Sequence, residues 1–220
     1  MYWLDVAGPP GVGKSTLCDP FWHPHAFQPD DRRPPLMWRP YLDEITRLFR
    51  LIQWHWSFVP AVRMTRRSVR KIATVARMEG GPYIQTGLVQ RGLGFGWRLN
   101  QIGMVDEVRG YFRLMPVSIG IAMLHADPAT IAERNRKRLL DPRTAHENRD
   151  FMVPLMAEPQ RIATEVFRER GVPVVTIDTG QPIEEARRRL SEFASQTSFD
   201  AASSGPGCQV EVLQAPPWWG

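Results

Sequence analysis

Residues 5–20 read DVAGPPGVGKSTLCDP, and the spacing within this stretch decides the fold class. Gly8, four further residues, and then Gly13, Lys14 and Ser15 match the pattern G-x-x-x-x-G-K-[ST]. The apolar run before the pattern predicts a short buried strand, and KSTLC after it predicts the start of a helix. Glycines let the backbone curl tightly and turn its N–H groups inward, while the helix directs its positive end at the same place. The stretch therefore predicts a phosphate-binding loop (P-loop) between a strand and a helix.

A nucleotide in this loop gives each residue type a role. Lys14 is expected to reach the β- and γ-phosphates of ATP as a point charge, and the Ser15 hydroxyl is expected to ligate Mg²⁺. The candidate ATP contacts are Gly8, Pro9, Pro10, Gly11, Val12, Gly13, Lys14, Ser15 and Thr16. The alternative is a Gly/Pro turn before an ordinary helix.

The pattern along the whole chain predicts an α/β fold, a doubly wound five-stranded parallel sheet with helices on both faces. The predicted strands are 2–7, 25–28, 82–86, 117–124 and 172–177. The predicted helices are 14–20, 41–56, 60–78, 87–98, 104–114, 128–140, 146–170, with a kink or break at its prolines, and 183–196. Residues 1–197 are expected to form one domain, and the Ser/Gly/Pro-rich residues 198–220 a partly disordered tail.

Composition sets the expected environment. The 220 residues include two cysteines, Cys18 and Cys208, without metal-ligand spacing, which favours a reducing compartment. No run of about 18 apolar residues predicts a membrane helix. The strand and loop begin so early that no signal peptide is expected. A cytoplasmic location, the host cytoplasm for a phage protein, and no membrane partner are the expectations.

Basic residues are concentrated in one part of the chain. Residues 45–105 contain ten Arg or Lys and one acid, Glu79, which gives +9 where the whole chain carries +5. Trp54, Trp56 and Phe58 are interleaved with them. Positive charge together with aromatic rings is typical of surfaces that grip single strands or flipped bases, so this stretch predicts a nucleic-acid partner. The alternative is that the tryptophans are core and the arginines a solvated helix face.

The N-terminal P-loop, the five predicted strands and the segment DPATIAERNRKR (127–138) together resemble the nucleoside and nucleotide kinase group of P-loop proteins. The resemblance implies a helical lid after the fourth strand, with arginines that close over the transferring phosphoryl group. Arg134, Arg136 and Arg138 match in position and type, and Arg134 and Arg138 share a helix face. Arg134 and Arg138 are therefore candidate catalytic residues, and Arg134 also a candidate ATP contact. The alternative is a solvated basic face.

The same resemblance implies an acid on the acceptor side, often at the end of the second strand. Asp30 and Asp31 stand about there, and one carboxylate could accept the acceptor's proton or hold Mg²⁺. Asp30 is the preferred base and metal ligand; a polar turn is the alternative.

The third predicted strand ends differently from that of many relatives. Gln85 and Thr86 stand where an acid is common, which argues against an ordinary thymidylate kinase and gives weight to Asp30, Asp31, Asp43 and Glu44. The candidate substrate contacts are Arg39, Gln85, Arg91, Arg66, Arg67 and Arg70.

The stretches 81–100, 114–128 and 145–153 are also similar to phage-encoded P-loop kinases that phosphorylate 5-hydroxymethylpyrimidines in DNA, such as 5-hydroxymethyluracil. This resemblance implies transfer of the ATP γ-phosphoryl group to the hydroxymethyl oxygen of a base drawn out of the stack, as a step in DNA hypermodification. Two alternatives stay open: a kinase of a free nucleoside, nucleotide or other small metabolite, and a P-loop NTPase switch. A GTPase would normally carry N-K-x-D, and the nearest segment, NRKR, lacks the Asp.

Overall fold

The computed structural model describes residues 3–18, 39–53, 83–85, 87–116, 120–140 and 153–203. In these ranges the strands are β1 (Trp3–Ala7), β2 (Tyr83–Gln85), β3 (Gly120–His125) and β4 (Val174–Asp178). The helices are α1 (Lys14–Cys18), α2 (Arg39–Gln53), α3 (Leu88–Gln101), α4 (Val108–Leu114), α5 (Pro128–Leu140), α6 (Ala157–Glu169) and α7 (Ile183–Ser203). Short 3₁₀ turns, Val105–Glu107 and Pro154–Met156, precede α4 and α6.

The four strands form one parallel sheet in the order β2-β1-β3-β4. Leu4 of β1 pairs with Ile84 of β2 on one side and with Gly120 of β3 on the other. Each of these strands lies where a strand is predicted, within a few residues at its ends. The further predicted strand, 25–28, lies outside the described residues, so the prediction of five strands stays a prediction.

Side chains alternate between two buried clusters on opposite faces of the sheet. Leu4, Val6 and Leu124 belong to a cluster that includes Leu17 of α1 and Leu190 of α7. Ile121 and Met123 belong to the other cluster, whose members come from α2, α3, α4 and α6. Parallel strands covered on both faces read as nearly continuous apolar runs, which explains why GIAMLH is recognisable as a strand.

The helix ends differ from the predicted ends for local reasons. Of the range 146–170, residues from 153 onwards are described, and the α-helix begins at Ala157 after the 3₁₀ turn. Pro159 does not break it, because a first-turn residue has no intrahelical acceptor for an N–H. α7 continues to Ser203, past the predicted end at 196 and into the segment predicted as a tail. The predicted helix 60–78 and residues 204–220 lie outside the described residues.

Among the helices that the structure describes, none is long and apolar enough to span a bilayer.

Candidate phosphate-binding site

Residues 8–13 form a loop at the carboxyl end of β1, in the middle of the sheet. The chain passes from β1 to β2 on one side, and β3 and β4 lie on the other side of β1. In an open parallel sheet, ligands bind outside the carboxyl ends of the strands where the winding direction reverses, which here is the crevice between β1 and β3. The loop stands in that crevice: a Cβ on Gly8 would lie 2.7 Å from the carbonyl oxygen of Leu124 in β3.

Two glycines give the loop its curl. Gly11 has φ +82° and Gly13 has φ +96°, in the left-handed region that residues with a Cβ rarely adopt. A Cβ on Gly11 would also lie 2.4 Å from Oδ1 of Asn135, which is 5% exposed in α5. The motif leaves position 11 open, but the structure requires glycine there twice, once because of the backbone angle and once because of the neighbouring Asn135.

The Lys14 side chain lies back across this loop. Its Nζ donates hydrogen bonds of 2.7 Å to the carbonyl oxygens of both Gly8 and Pro9. The ammonium group is thereby held beside the loop, where an anion in the curl of residues 8–13 would meet it. Ser15 and Thr16, the next residues of α1, are exposed.

Arg134 of α5 joins the loop to the end of β4. Its Nη2 donates to the carbonyl oxygen of Thr179 at 2.6 Å, and its Nη1 lies 3.4 Å from the carbonyl oxygen of Val12. The Thr179 hydroxyl donates to the same Val12 carbonyl at 2.6 Å. Arg134 is half-buried while Arg136 is exposed, so these two arginines lie on different faces of α5. Arg138 is the third arginine of α5, and its side chain lies outside the described part of the structure.

A buried acid holds the helix on the other side of the loop. Asp5, in the middle of β1 and 0% exposed, accepts hydrogen bonds from the backbone N–H groups of Gly87 (2.8 Å) and Val89 (3.0 Å) at the start of α3. Charge-assisted bonds of this kind satisfy the helix's first donors, and the positive end of the helix favours the carboxylate. The same first turn of α3 brings Gln90 to the loop, where its Oε1 accepts the N–H of Gly8 at 3.0 Å.

Four residues at this site were not among the sequence candidates: Asp5, Gln90, Asn135 and Thr179. One of them carries a usable signal, because Asp5 is an acid inside the apolar strand WLDVA and a buried acid needs a partner. The loop residues that the other three contact lie 82 to 167 residues away in the chain.

The acceptor-side candidates are only partly described. Arg39 begins α2, and its Nε lies 3.9 Å from the exposed Asp43 carboxylate. Gln85 is the last residue of β2 and pairs with Asp5 of β1; its side chain lies outside the described part of the structure. Arg91 is half-buried in α3. Burial raises the pKa of the Tyr111 hydroxyl, and the positive charge of Arg91 offsets part of that rise.

Glu44, one alternative to the aspartates as base, has a structural contact. Both of its carboxylate oxygens accept from Arg47, at 2.7 and 2.8 Å. Arg47 also donates to Glu107 at 2.6 Å, so one of the ten basic residues between 45 and 105 is already neutralised by acids just outside that range. Counting charge by sequence window overlooks such pairs. Asp30, Asp31, Arg66, Arg67 and Arg70 lie outside the described residues.

Burial shifts the pKa of two further side chains, one in α1 and one in α3. Burial, and to a lesser extent Asp5, raises the pKa of the Cys18 thiol in α1 to about 11, so the thiol is protonated at neutral pH. Burial lowers the pKa of Arg98 in α3 to about 10, which leaves it charged, with its guanidinium 4.4 Å from the Trp97 ring centroid.

Within the described ranges, no group of three or more His, Cys, Asp or Glu side chains is placed to hold a metal ion. A Mg²⁺ ion in a P-loop is carried by nucleotide phosphates and one hydroxyl, and the exposed Ser15 hydroxyl in the first turn of α1 fits that role.

No protein-family model matches this chain, and no curated protein is significantly similar to it.

Proposed function

We propose that this protein is an ATP-dependent P-loop kinase that transfers the γ-phosphoryl group to a hydroxyl of a pyrimidine, the 5-hydroxymethyl group of a base in DNA. The observation that carries the kinase part is the loop itself. Gly11 and Gly13 at positive φ, with Lys14 lying across the loop, occupy the crevice where parallel α/β sheets bind ligands.

The residues around the loop fit a nucleoside triphosphate. The N–H groups in the first turn of α1 have no intrahelical acceptors, and the Lys14 ammonium supplies positive charge beside them. Arg134 stands on the far side of the loop, between Val12 and Thr179, where the turn after β4 would border the nucleoside. Phosphoryl transfer requires positioning and charge stabilisation rather than covalent help, so a lysine and an arginine at the loop are the groups it needs.

In the proposed reaction, the oxygen of the acceptor hydroxyl attacks the γ-phosphorus, the bond between that phosphorus and the β,γ-bridging oxygen breaks, and ADP leaves. The hydroxyl proton passes to a carboxylate, for which Asp30 is the preferred candidate. Ser15 would hold a Mg²⁺ ion, which would neutralise charge on the phosphates. Lys14 stabilises the charge on the transferred group, and Arg134 orients the nucleotide.

DNA as the acceptor is supported by the sequence resemblance and by the charge between 45 and 105. Arg50 is exposed on α2, and Arg91 and Arg98 are half-buried on α3. A second candidate, a free nucleoside or another small molecule as acceptor, gains support from the Arg47 ion pairs, which remove one cation from the surface available to a polyanion.

The deciding experiment incubates the full chain with γ-labelled ATP and Mg²⁺ in parallel reactions. The acceptors are DNA with 5-hydroxymethylpyrimidines, the same DNA without them, and a panel of free nucleosides and nucleotides. Label in hydroxymethylated DNA alone supports the proposal. Label in a free nucleoside or nucleotide instead identifies the second candidate, and phosphate release without labelled acceptor identifies an NTPase.

Lys14→Ala is the matched negative control for each reaction. Loss of one preorganised charge donor lowers turnover by about 10²–10³-fold. Turnover near the wild-type value at saturating ATP would refute the phosphate-binding role of the loop.

A further inference from the structure

Gly8 is the point at which three parts of the structure meet. Its N–H donates to Oε1 of Gln90 at 3.0 Å, and its carbonyl oxygen accepts from Nζ of Lys14 at 2.7 Å. Its Cα lies against β3, because an added Cβ would come within 2.7 Å of the Leu124 carbonyl oxygen. The N–H and the carbonyl oxygen of Gly8 are therefore both hydrogen-bonded, and its Cα is packed against β3.

Gln90 is itself held firmly in place. It lies in the first turn of α3, and that turn is tied to β1 by the two bonds to Asp5. Asp5 lies in β1, three residues before Gly8. The contacts therefore form a closed circuit from β1 through α3 and back to the end of β1, spanning 82 to 84 residues of sequence.

The circuit bears on Lys14 because Gln90 and Lys14 contact the two neighbouring peptide groups that meet at the Gly8 Cα. Gln90 accepts from the N–H of the Ala7–Gly8 peptide, and Lys14 donates to the carbonyl oxygen of the Gly8–Pro9 peptide. Without the Gln90 acceptor, the Ala7–Gly8 peptide loses a restraint, and a resulting change in the Gly8 backbone angles would shift the carbonyl oxygen that holds the ammonium. A neutral carboxamide holds this peptide without adding a negative charge beside a phosphate, as a carboxylate at the same position would.

We propose that Gln90 is a positioning residue for Lys14, acting through the backbone of Gly8 to hold the ammonium where the phosphates of a nucleotide bind. The inference rests on the proposed function, since it assumes that the loop binds a nucleoside triphosphate. It adds a residue from the acceptor-side helix α3 to the phosphate-binding machinery, and it couples the placement of α3 to that of the loop.

The test is a double-mutant cycle with ATP affinity as the readout, measured by titration of a fluorescent ATP analogue. The four proteins are the wild type, Gln90→Met, Lys14→Ala and the double variant. Methionine keeps the length of the side chain and removes the carbonyl acceptor. Gln101→Met, the same exchange at an exposed position in the last turn of α3, is the matched control.

Gln90→Met is expected to weaken ATP binding about 3- to 10-fold, the effect of one hydrogen bond. If Gln90 acts through Lys14, the same change in the Lys14→Ala background has little further effect, because the group being positioned is already gone. A purely structural role would give the same loss in both backgrounds. Gln101→Met is expected to bind ATP as the wild type does.

Each outcome separates the two proposals. ATP binding that is equal in the wild type and Gln90→Met, or losses that add in the double variant, overturns the role of Gln90 and leaves the kinase proposal standing. A wild-type protein that binds no nucleoside triphosphate refutes the proposed function and the inference with it. If Gln90→Met does not fold, Gln90→Asn replaces it, since it withdraws the amide by one methylene, about 1.5 Å.

Discussion

Replacing Gly11 with alanine probes the loop of residues 8–13, because the substitution carries two separate energetic costs. The first is the backbone angle: φ is +82°, and a Cβ in the left-handed region costs about 1–2 kcal/mol, partly offset by the lower entropy of the unfolded chain. The second is contact, because the new Cβ would lie 2.4 Å from Oδ1 of the buried Asn135. Relieving such a contact in a packed region costs about 1–3 kcal/mol more.

Gly171 provides a matched control for the first cost alone. Its φ is +69°, and nothing lies within 4 Å of an added Cβ. Gly171→Ala is therefore expected to lose about 1 kcal/mol and Gly11→Ala about 2–4 kcal/mol of unfolding free energy. For a chain of this length these losses correspond to falls in Tm of about 2–4 °C and about 5–15 °C.

The same comparison should separate the two sites in ATP binding. If the loop shifts to relieve a contact that costs about 1–3 kcal/mol, Gly11→Ala should bind ATP about 5- to 100-fold more weakly than the wild type. Gly171 lies just after α6, so Gly171→Ala should leave ATP binding unchanged. The measurements are thermal unfolding by circular dichroism and titration with the fluorescent ATP analogue. Adding Asn135→Ala to Gly11→Ala should restore part of the lost Tm. Equal Tm and equal ATP affinity in the two glycine variants would refute the described loop geometry.

Three further predictions follow from other parts of the molecule. Thr179→Val removes the hydroxyl donor to Val12 and should cost about 1–3 kcal/mol in chemical denaturation, while Thr179→Ser, which keeps the hydroxyl, should stay close to the wild type. In a Cys208→Ser background, Cys18 should resist alkylation at pH 8.5, and rapid alkylation of the native protein would contradict its burial. The contribution of this thiol to stability should be lost only as pH rises from about 9 towards 11, because the thiol of the unfolded chain ionises first. Replacing three arginines, Arg66, Arg67 and Arg70, with alanine in one variant should flatten the salt dependence of DNA phosphorylation. The slope should change by roughly 0.7 to 0.9 for each lost phosphate contact. An unchanged slope would exclude these arginines as DNA contacts.

The sequence alone predicts much of the fold, because its signals are local. An apolar run bounded by glycine or proline predicts a strand wherever it stands, and four such predictions correspond to β1–β4. Asp127 followed by Pro128 predicts the start of α5, and the Asp127 carboxylate accepts the N–H of Ala129 at 2.7 Å. Helix ends were less predictable, since α7 continues to Ser203 although the composition changes at about residue 198.

The loop residues of the candidate site were also predictable, because the motif is contiguous and each residue has a chemical reason to be there. The glycines were expected to let the backbone curl, and Lys14 reaches carbonyls only five and six residues away. A charge count along the chain does not show which charges pair, since one partner of Arg47, Glu107, lies 60 residues later.

Only the tertiary structure decided what surrounds the loop. Asp5 reads in sequence as a stray acid in a strand, and its role exists only because the parallel pairing of β1 with β2 brings the start of α3 over it. Gln90 and Thr179 are ordinary polar residues until the sheet order places their elements beside residues 8–13. Hydrogen bonds need atoms within about 3 Å, and backbone propensity carries no information about partners that are more than 80 residues apart until the sheet has formed.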